Sequence, residues 1–111
     1  MNECYVDVGA VGDVPERGSR IVRSEIGDIA VFRTTEGEIF ALRDRCPHKG
    51  GPLSQGIVHG KSVTCPLHNW VISLKTGEAQ GADSGCARTI ALKIEDGRIL
   101  LPLAAVRREA A

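Results

Sequence analysis

Two short runs in this chain, DRCPHKGGPLSQG and TCPLHNW, each hold a cysteine, a proline directly after it and a histidine within three positions. Together they use two of the four cysteines and two of the three histidines. The pattern is Cys46-x-His48, sixteen intervening residues, then Cys65-x-x-His68. Two thiolates and two imidazoles can hold a tetrahedral zinc or an iron–sulfur centre. Zinc fingers usually put two cysteines on one short turn and two histidines on another, whereas each run here brings one of each. That distribution suits a binuclear 2Fe–2S centre in which Cys46 and Cys65 take one iron and His48 and His68 the other. Structural zinc on the same four residues is the alternative.

The neighbours fit a cluster. Gly50 and Gly51 let the backbone approach closely and aim N–H groups at sulfur. Pro47 and Pro66 stiffen each run and remove one donor apiece. Two ferric ions, two sulfides, two thiolates and two neutral imidazoles cancel in charge, so one added electron leaves a negative core that such donors favour. Lys49 reads as a solvated loop lysine, and His59, beside Gly60, as a turn residue. Cys4 opens a strand and reads as a small buried residue. Cys86 is expected to pack beneath the ligand lobe and not to ligate, because the four-ligand set is complete. Trp70 is expected to cover the site as a packing residue.

Strands must position these runs. In RTIALKIED, Ile90, Leu92 and Ile94 alternate with Ala91, Lys93 and Glu95, as in a strand with one wet face. Asp96-Gly97 then turns the chain into RILLPL, a hairpin signature. GDIAVFRT and EIFALRD form a second hairpin with Glu36-Gly37 at its tip. YVDVGAV and SRIVRSE read as two further strands, with Pro15 and Gly18 in their connection. Short strands are also expected at GIV, KSVTC and WVIS, inside a loop-rich lobe over residues 45–83. The tail AAVRREAA reads as a short helix or a frayed end. Helical periodicity is otherwise nearly absent, so the fold class is all-β, built of short antiparallel strands.

At 111 residues the chain has the size of one ordinary domain. Aromatics make up only 4% of it, so Val, Ile, Leu and Ala must build the core, and a bound inorganic centre would add folding free energy. Fourteen basic residues balance fourteen acidic ones, which argues against nucleic acid or an anionic membrane as partner. MNECYVDVGAV lacks a basic n-region, and no apolar run approaches the ~20 residues of a membrane span. A cytoplasmic protein is expected, in a compartment where patterned cysteines bind metal more often than they form disulfides. No G-x-G-x-x-G fingerprint occurs, and His59 alone cannot supply a 2-His-1-carboxylate iron site. A non-catalytic redox subunit is therefore expected, not an enzyme on its own.

The ligand runs resemble those of Rieske-type 2Fe–2S proteins, whose form is Cys-x-His, a spacer near this length, and Cys-x-x-His. The resemblance implies an antiparallel β-sandwich with a small loop-rich cluster-binding subdomain. It makes residues 1–108 one Rieske-type domain, with the cluster lobe at about 45–83 and a tail at 109–111. Respiratory members carry an extra disulfide where this chain has Gly51 and Leu67, and hydroxyl donors where it has Trp70 and Ile72. A potential near the lower end of the roughly −150 to +300 mV Rieske range is implied. Trp70 resembles the tryptophan that follows the second histidine in oxygenase-type domains, with Asn69 in place of their glycine. CPHKGGPLSQGIVHG, VTCPLHNWVISLKTGEA and GADSGCARTIALKIEDGRI together resemble the small subunits of assimilatory NAD(P)H-dependent nitrite reductases. That resemblance implies a cytoplasmic electron-transfer subunit beside a large sirohaem and FAD subunit that reduces nitrite to ammonia. The alternative is a free Rieske ferredoxin that feeds an aromatic-ring oxygenase.

Overall fold

The computed structural model describes residues 4–25, 27–46, 52–66, 70–80 and 85–103. The tail AAVRREAA lies outside the described residues. Ten strands are present among those described: β1 Tyr5–Ala10, β2 Gly18–Val22, β3 Ile29–Arg33, β4 Ile39–Arg43, β5 Ile57–His59, β6 Ser62–Thr64, β7 Val71–Ser73, β8 Thr89–Ile90, β9 Lys93–Glu95 and β10 Arg98–Pro102. They form three antiparallel sheets, ordered β1-β10-β9, β2-β3-β4-β8 and β5-β6-β7. The all-β antiparallel reading therefore holds. Among the described residues no helix is long and apolar enough to cross a membrane.

The middle strands of the four-stranded sheet, β3 and β4, are covered on both faces. Ile29, Val31 and Ala41 pack on Ile99 and Leu101 of the first sheet. Ala30, Phe32 and Leu42, the alternate positions, pack on Val58, Val63 and Ile72 of the third. This explains the uninterrupted apolar run of β3, because a strand covered on both sides has no wet face to mark with polar residues. The β3–β4 hairpin runs in unbroken register from Ile29↔Arg43 to Arg33↔Ile39.

RTIALKIED is not one strand. β8 pairs with β4 in the central sheet, while β9 pairs with β10 in the first sheet. The chain changes sheets at Ala91 and Leu92, so Ile90 is buried and Ile94 is exposed although both sit on the same parity. The β9–β10 turn is as expected, with Asp96 at φ 50 and Gly97 at φ 75, the left-handed pair that a two-residue hairpin needs.

Asp7 on β1 receives a fork from Arg98 on β10, with Nε–Oδ2 at 2.9 Å and Nη2–Oδ1 at 3.0 Å. The Arg98 hydrogen bonds, then the Gly9 backbone N–H, hold the Asp7 carboxyl below its ordinary 3.8. A lowered folded-state pKa means that the pair stabilises the fold above the ordinary Asp value and loses that contribution as pH falls through the lower one. Asp7→Asn should therefore lower the melting midpoint slightly at neutral pH, because the pair is exposed. Melting curves of wild type and variant should converge as the pH is taken well below 3.8. Curves that stay equally separated down to strong acid would show that the pair contributes nothing through charge.

Candidate metal centre

The first ligand run leaves the central sheet at the end of β4. Arg45 N–H donates to the Arg43 carbonyl at 2.7 Å, a tight turn that swings the chain out of the sheet. Asp44 N–H donates to the Asp28 carbonyl at 3.0 Å, so the turn is tied to the strand entrance beside it. Cys46 follows, 2% exposed. Beyond residues 47–51 come Pro52, a 3₁₀ turn over Leu53–Gln55, and Gly56. Leu53 is fully buried and belongs to the same apolar cluster as Cys46. A Cβ on Gly56 would fall on the Thr64 carbonyl oxygen, so only glycine lets the loop exit lie this close to β6.

The loop mouth carries side-chain bonds as well. Ser54 N–H donates to Asp44 Oδ1, and Ser54 Oγ to Asp44 Oδ2, both at 2.7 Å. Ser19 Oγ on β2 donates to the Ser54 carbonyl at 2.6 Å.

The second run joins β6 to β7. Cys65 follows β6 directly and is 0% exposed. Its N–H donates to the Trp70 carbonyl at 2.7 Å, which extends the hairpin pairing by one step and narrows the mouth of this loop. Trp70 is half-buried and packs on the apolar cluster that holds both cysteines.

Cys46 and Cys65 thus come together from separate loops in one buried cluster, with Leu53, Val58, Val63, Ile72 and Leu74. His48 and His68 lie outside the described residues, as do Lys49, Gly50, Gly51 and Asn69. Among the described residues no group of three or more His, Cys, Asp or Glu side chains gathers to form a metal cage.

Two expectations about other residues need correction. Cys86 is exposed, with Sγ 3.7 Å from the Thr76 carbonyl; it is Ala87, the next residue, that enters the buried cluster. Cys86 sits in a bridge opposite Glu78, and the alternation of that short pairing turns its neighbour inward instead. Cys4 is exposed just before β1, where its carbonyl accepts from Leu103 N–H at 2.8 Å. His59 is the last residue of β5, immediately before the Gly60 turn, with Nε2 2.7 Å from Thr64 Oγ1. Sequence reasoning missed the Asp44–Ser54 contact; its only trace was an acidic residue before the first run and a serine after it.

Burial, and then the neighbouring Arg88, pull Arg43 below its usual range, so two like charges lie close together where β4 ends.

The donor set fits an iron–sulfur centre. Two thiols, neither in a disulfide, lie together in an apolar cluster at the starts of two loops. Soft thiolate donors in such surroundings suit iron–sulfur chemistry.

Comparison with known proteins agrees. A family model described as the Rieske [2Fe-2S] domain matches residues 4–91. The ferredoxin component of a naphthalene 1,2-dioxygenase system from Pseudomonas aeruginosa is 32% identical over 104 residues, covering 93% of this chain and 99% of its own length. A 4beta-methylsterol monooxygenase from Methylococcus capsulatus is 37% identical over 98 residues; these cover 86% of this chain but only 24% of the monooxygenase. A crystal structure from Mycobacterium tuberculosis, described as an NADH-dependent nitrite reductase small subunit, matches over 100% of both chains with TM-score 0.80 at 19% identity, a likeness of fold. The matched stretch contains both cysteine–histidine runs and both buried thiols, and the chain belongs to the Rieske [2Fe-2S] domain family, with a Rieske-type 2Fe–2S cluster as its cofactor.

Proposed function

We propose that this chain is a free one-electron carrier, the ferredoxin of an oxygenase system, in which Cys46, His48, Cys65 and His68 hold the cluster. The observation that supports the carrier role most is the end-to-end alignment with a dioxygenase ferredoxin component. When bound, the 2Fe–2S cluster supplies a one-electron couple. Cys46 and Cys65 offer thiolates from inside the apolar cluster, and Leu53, Ile72 and Leu74 keep water from their side of the site. His48 and His68 contribute neutral nitrogen ligands, which raise the potential relative to four thiolates. Substrate oxidation belongs to the partner, because the chain has neither a dinucleotide fingerprint nor the histidines for a mononuclear iron site. The same proposal puts the chain in the cytoplasm, where the exposed thiols of Cys4 and Cys86 stay reduced.

A second reading is the small subunit of a nitrite reductase, paired with a large sirohaem and FAD subunit. GGPLSQGIVHG and GADSGC favour it.

One experiment separates the two. The cluster-loaded, dithionite-reduced chain is mixed in a stopped-flow instrument with a purified ring-hydroxylating oxygenase or with a sirohaem flavoprotein. Reoxidation by the oxygenase at a rate that saturates with its concentration is expected, with little effect of the flavoprotein. The reverse pattern puts the nitrite reductase reading in first place. Electron paramagnetic resonance of the same reduced sample should give a low average g value, the mark of mixed Cys and His ligation. A spectrum typical of four thiolates would overturn the ligand set.

A further inference from the structure

We propose that Asp44 and Ser54 form a positioning clasp that closes the first ligand loop and holds a fixed negative charge beside Cys46; this rests on the ligand assignment above. The pair brackets the segment that carries Cys46 and His48. Both carboxylate oxygens are engaged at 2.7 Å, one by Ser54 N–H and one by Ser54 Oγ. These are charge-assisted bonds, shorter and stronger than neutral ones.

The clasp is not free-standing. The Ser54 carbonyl accepts from Ser19 Oγ on β2, and Asp44 N–H donates to the Asp28 carbonyl ahead of β3. The loop mouth is therefore fastened to the central sheet at both sides, while Leu53 anchors it from below in the cluster that buries Cys46. None of the four cysteines forms a disulfide, so no covalent link restrains either ligand loop. Each loop is closed at its own mouth: the second by the backbone bond from Cys65 to Trp70, the first by a carboxylate. Closing the mouth removes conformations in which Cys46 is out of reach of its metal.

The charge has a second effect. Two residues along a chain span at most about 7 Å, so Asp44 cannot be far from the Cys46 ligand. The residue is half-buried, and among the described residues no Lys, Arg or His makes an ion pair with it. A carboxylate so placed is weakly screened and opposes the arrival of further negative charge. Asp44 should therefore lower the reduction potential while it positions the loop.

Three variants of the full chain, each loaded with cluster, test this. Asp44→Asn keeps an acceptor for Ser54 N–H, and its amide can donate to a rotated Ser54 hydroxyl, so the loop stays closed while the charge is lost. Its iron content and electron paramagnetic resonance spectrum should match wild type, and its midpoint potential should rise. A purely structural residue would not move the potential in a fully loaded protein. Asp44→Ala opens the clasp, and its visible band should bleach in air about tenfold faster or more, the factor expected for a lost charge-assisted bond. Ser54→Ala, the milder change, should bleach faster than wild type with its potential unchanged. A wild-type potential in Asp44→Asn, or wild-type bleaching in both Asp44→Ala and Ser54→Ala, overturns the proposal. Cys46→Ser run in parallel separates the two levels. Full iron in that variant defeats the ligand assignment; an iron-free Cys46→Ser beside wild-type behaviour of the Asp44 and Ser54 variants defeats the clasp alone.

Discussion

Cys65→Ser will be isolated without iron or acid-labile sulfide, and Cys46→Ser likewise, while Cys4→Ser and Cys86→Ser will keep the full complement of both. Cys65 is 0% exposed and Cys46 2% exposed, both in one apolar cluster. Serine replaces a soft thiolate by a hydroxyl that stays protonated at neutral pH and binds iron poorly. It also leaves a hydroxyl among Val63, Ile72 and Leu74, which burial disfavours. Cys4 and Cys86 are exposed, so their replacement touches neither ligation nor packing. Iron and sulfide analysis with the visible spectrum reads the result. Loss of iron from Cys86→Ser together with retention by Cys65→Ser would mean that the wrong thiols have been assigned.

Phe32→Ala is expected to have the largest effect of any apolar truncation, about 3–5 kcal/mol. Phe32 is the largest fully buried side chain, and it lies on the face of the central sheet that meets the ligand lobe. A loss of this size is a large part of the roughly 5–15 kcal/mol that holds a domain together. The variant should melt on the order of 10–20 °C lower by far-ultraviolet circular dichroism. Its visible band should also fade at lower temperature, because the cavity opens in the apolar cluster that holds Cys46 and Cys65. Val31→Ala empties the opposite face, against the first sheet, and should lower the melting point with less effect on how long the folded protein keeps its iron. Equal cluster loss in the two variants would show that the faces of the sheet are not energetically distinct.

The two thiols that the structure buries in one apolar cluster, Cys46 and Cys65, could be singled out before any strand was placed, because metal chemistry confines candidate ligands to short, local patterns. The hairpins were legible for a related reason, since Asp96-Gly97 and the Glu36-Gly37 tip are local turn signals flanked by apolar runs. What escaped depends on distant partners. Alternation in RTIALKIED continues through Ala91 and Leu92 although the chain changes sheets there, and it does not show that Ile90 ends buried while Ile94 ends exposed. The two-sided burial of β3 shows only as an apolar run, which does not say how many layers cover it. Cys86 was misplaced because an exposed bridge residue and its buried neighbour Ala87 differ by one step of a pleat. The Asp44–Ser54 bond spans ten positions and has no pattern of its own.

The strands on either side of the ligand lobe, β4 and β8, are hydrogen-bonded neighbours, with Ala41 opposite Ile90 and Leu42 opposite Thr89. Topologically the lobe is thus a cassette spliced into one seam, and exchanging it for another would leave every remaining strand pairing intact. Its underside is another matter, for Ala30, Phe32 and Leu42 would stand bare once it was lifted off. Any foreign replacement must reproduce that oily footprint before it can be asked to carry a metal.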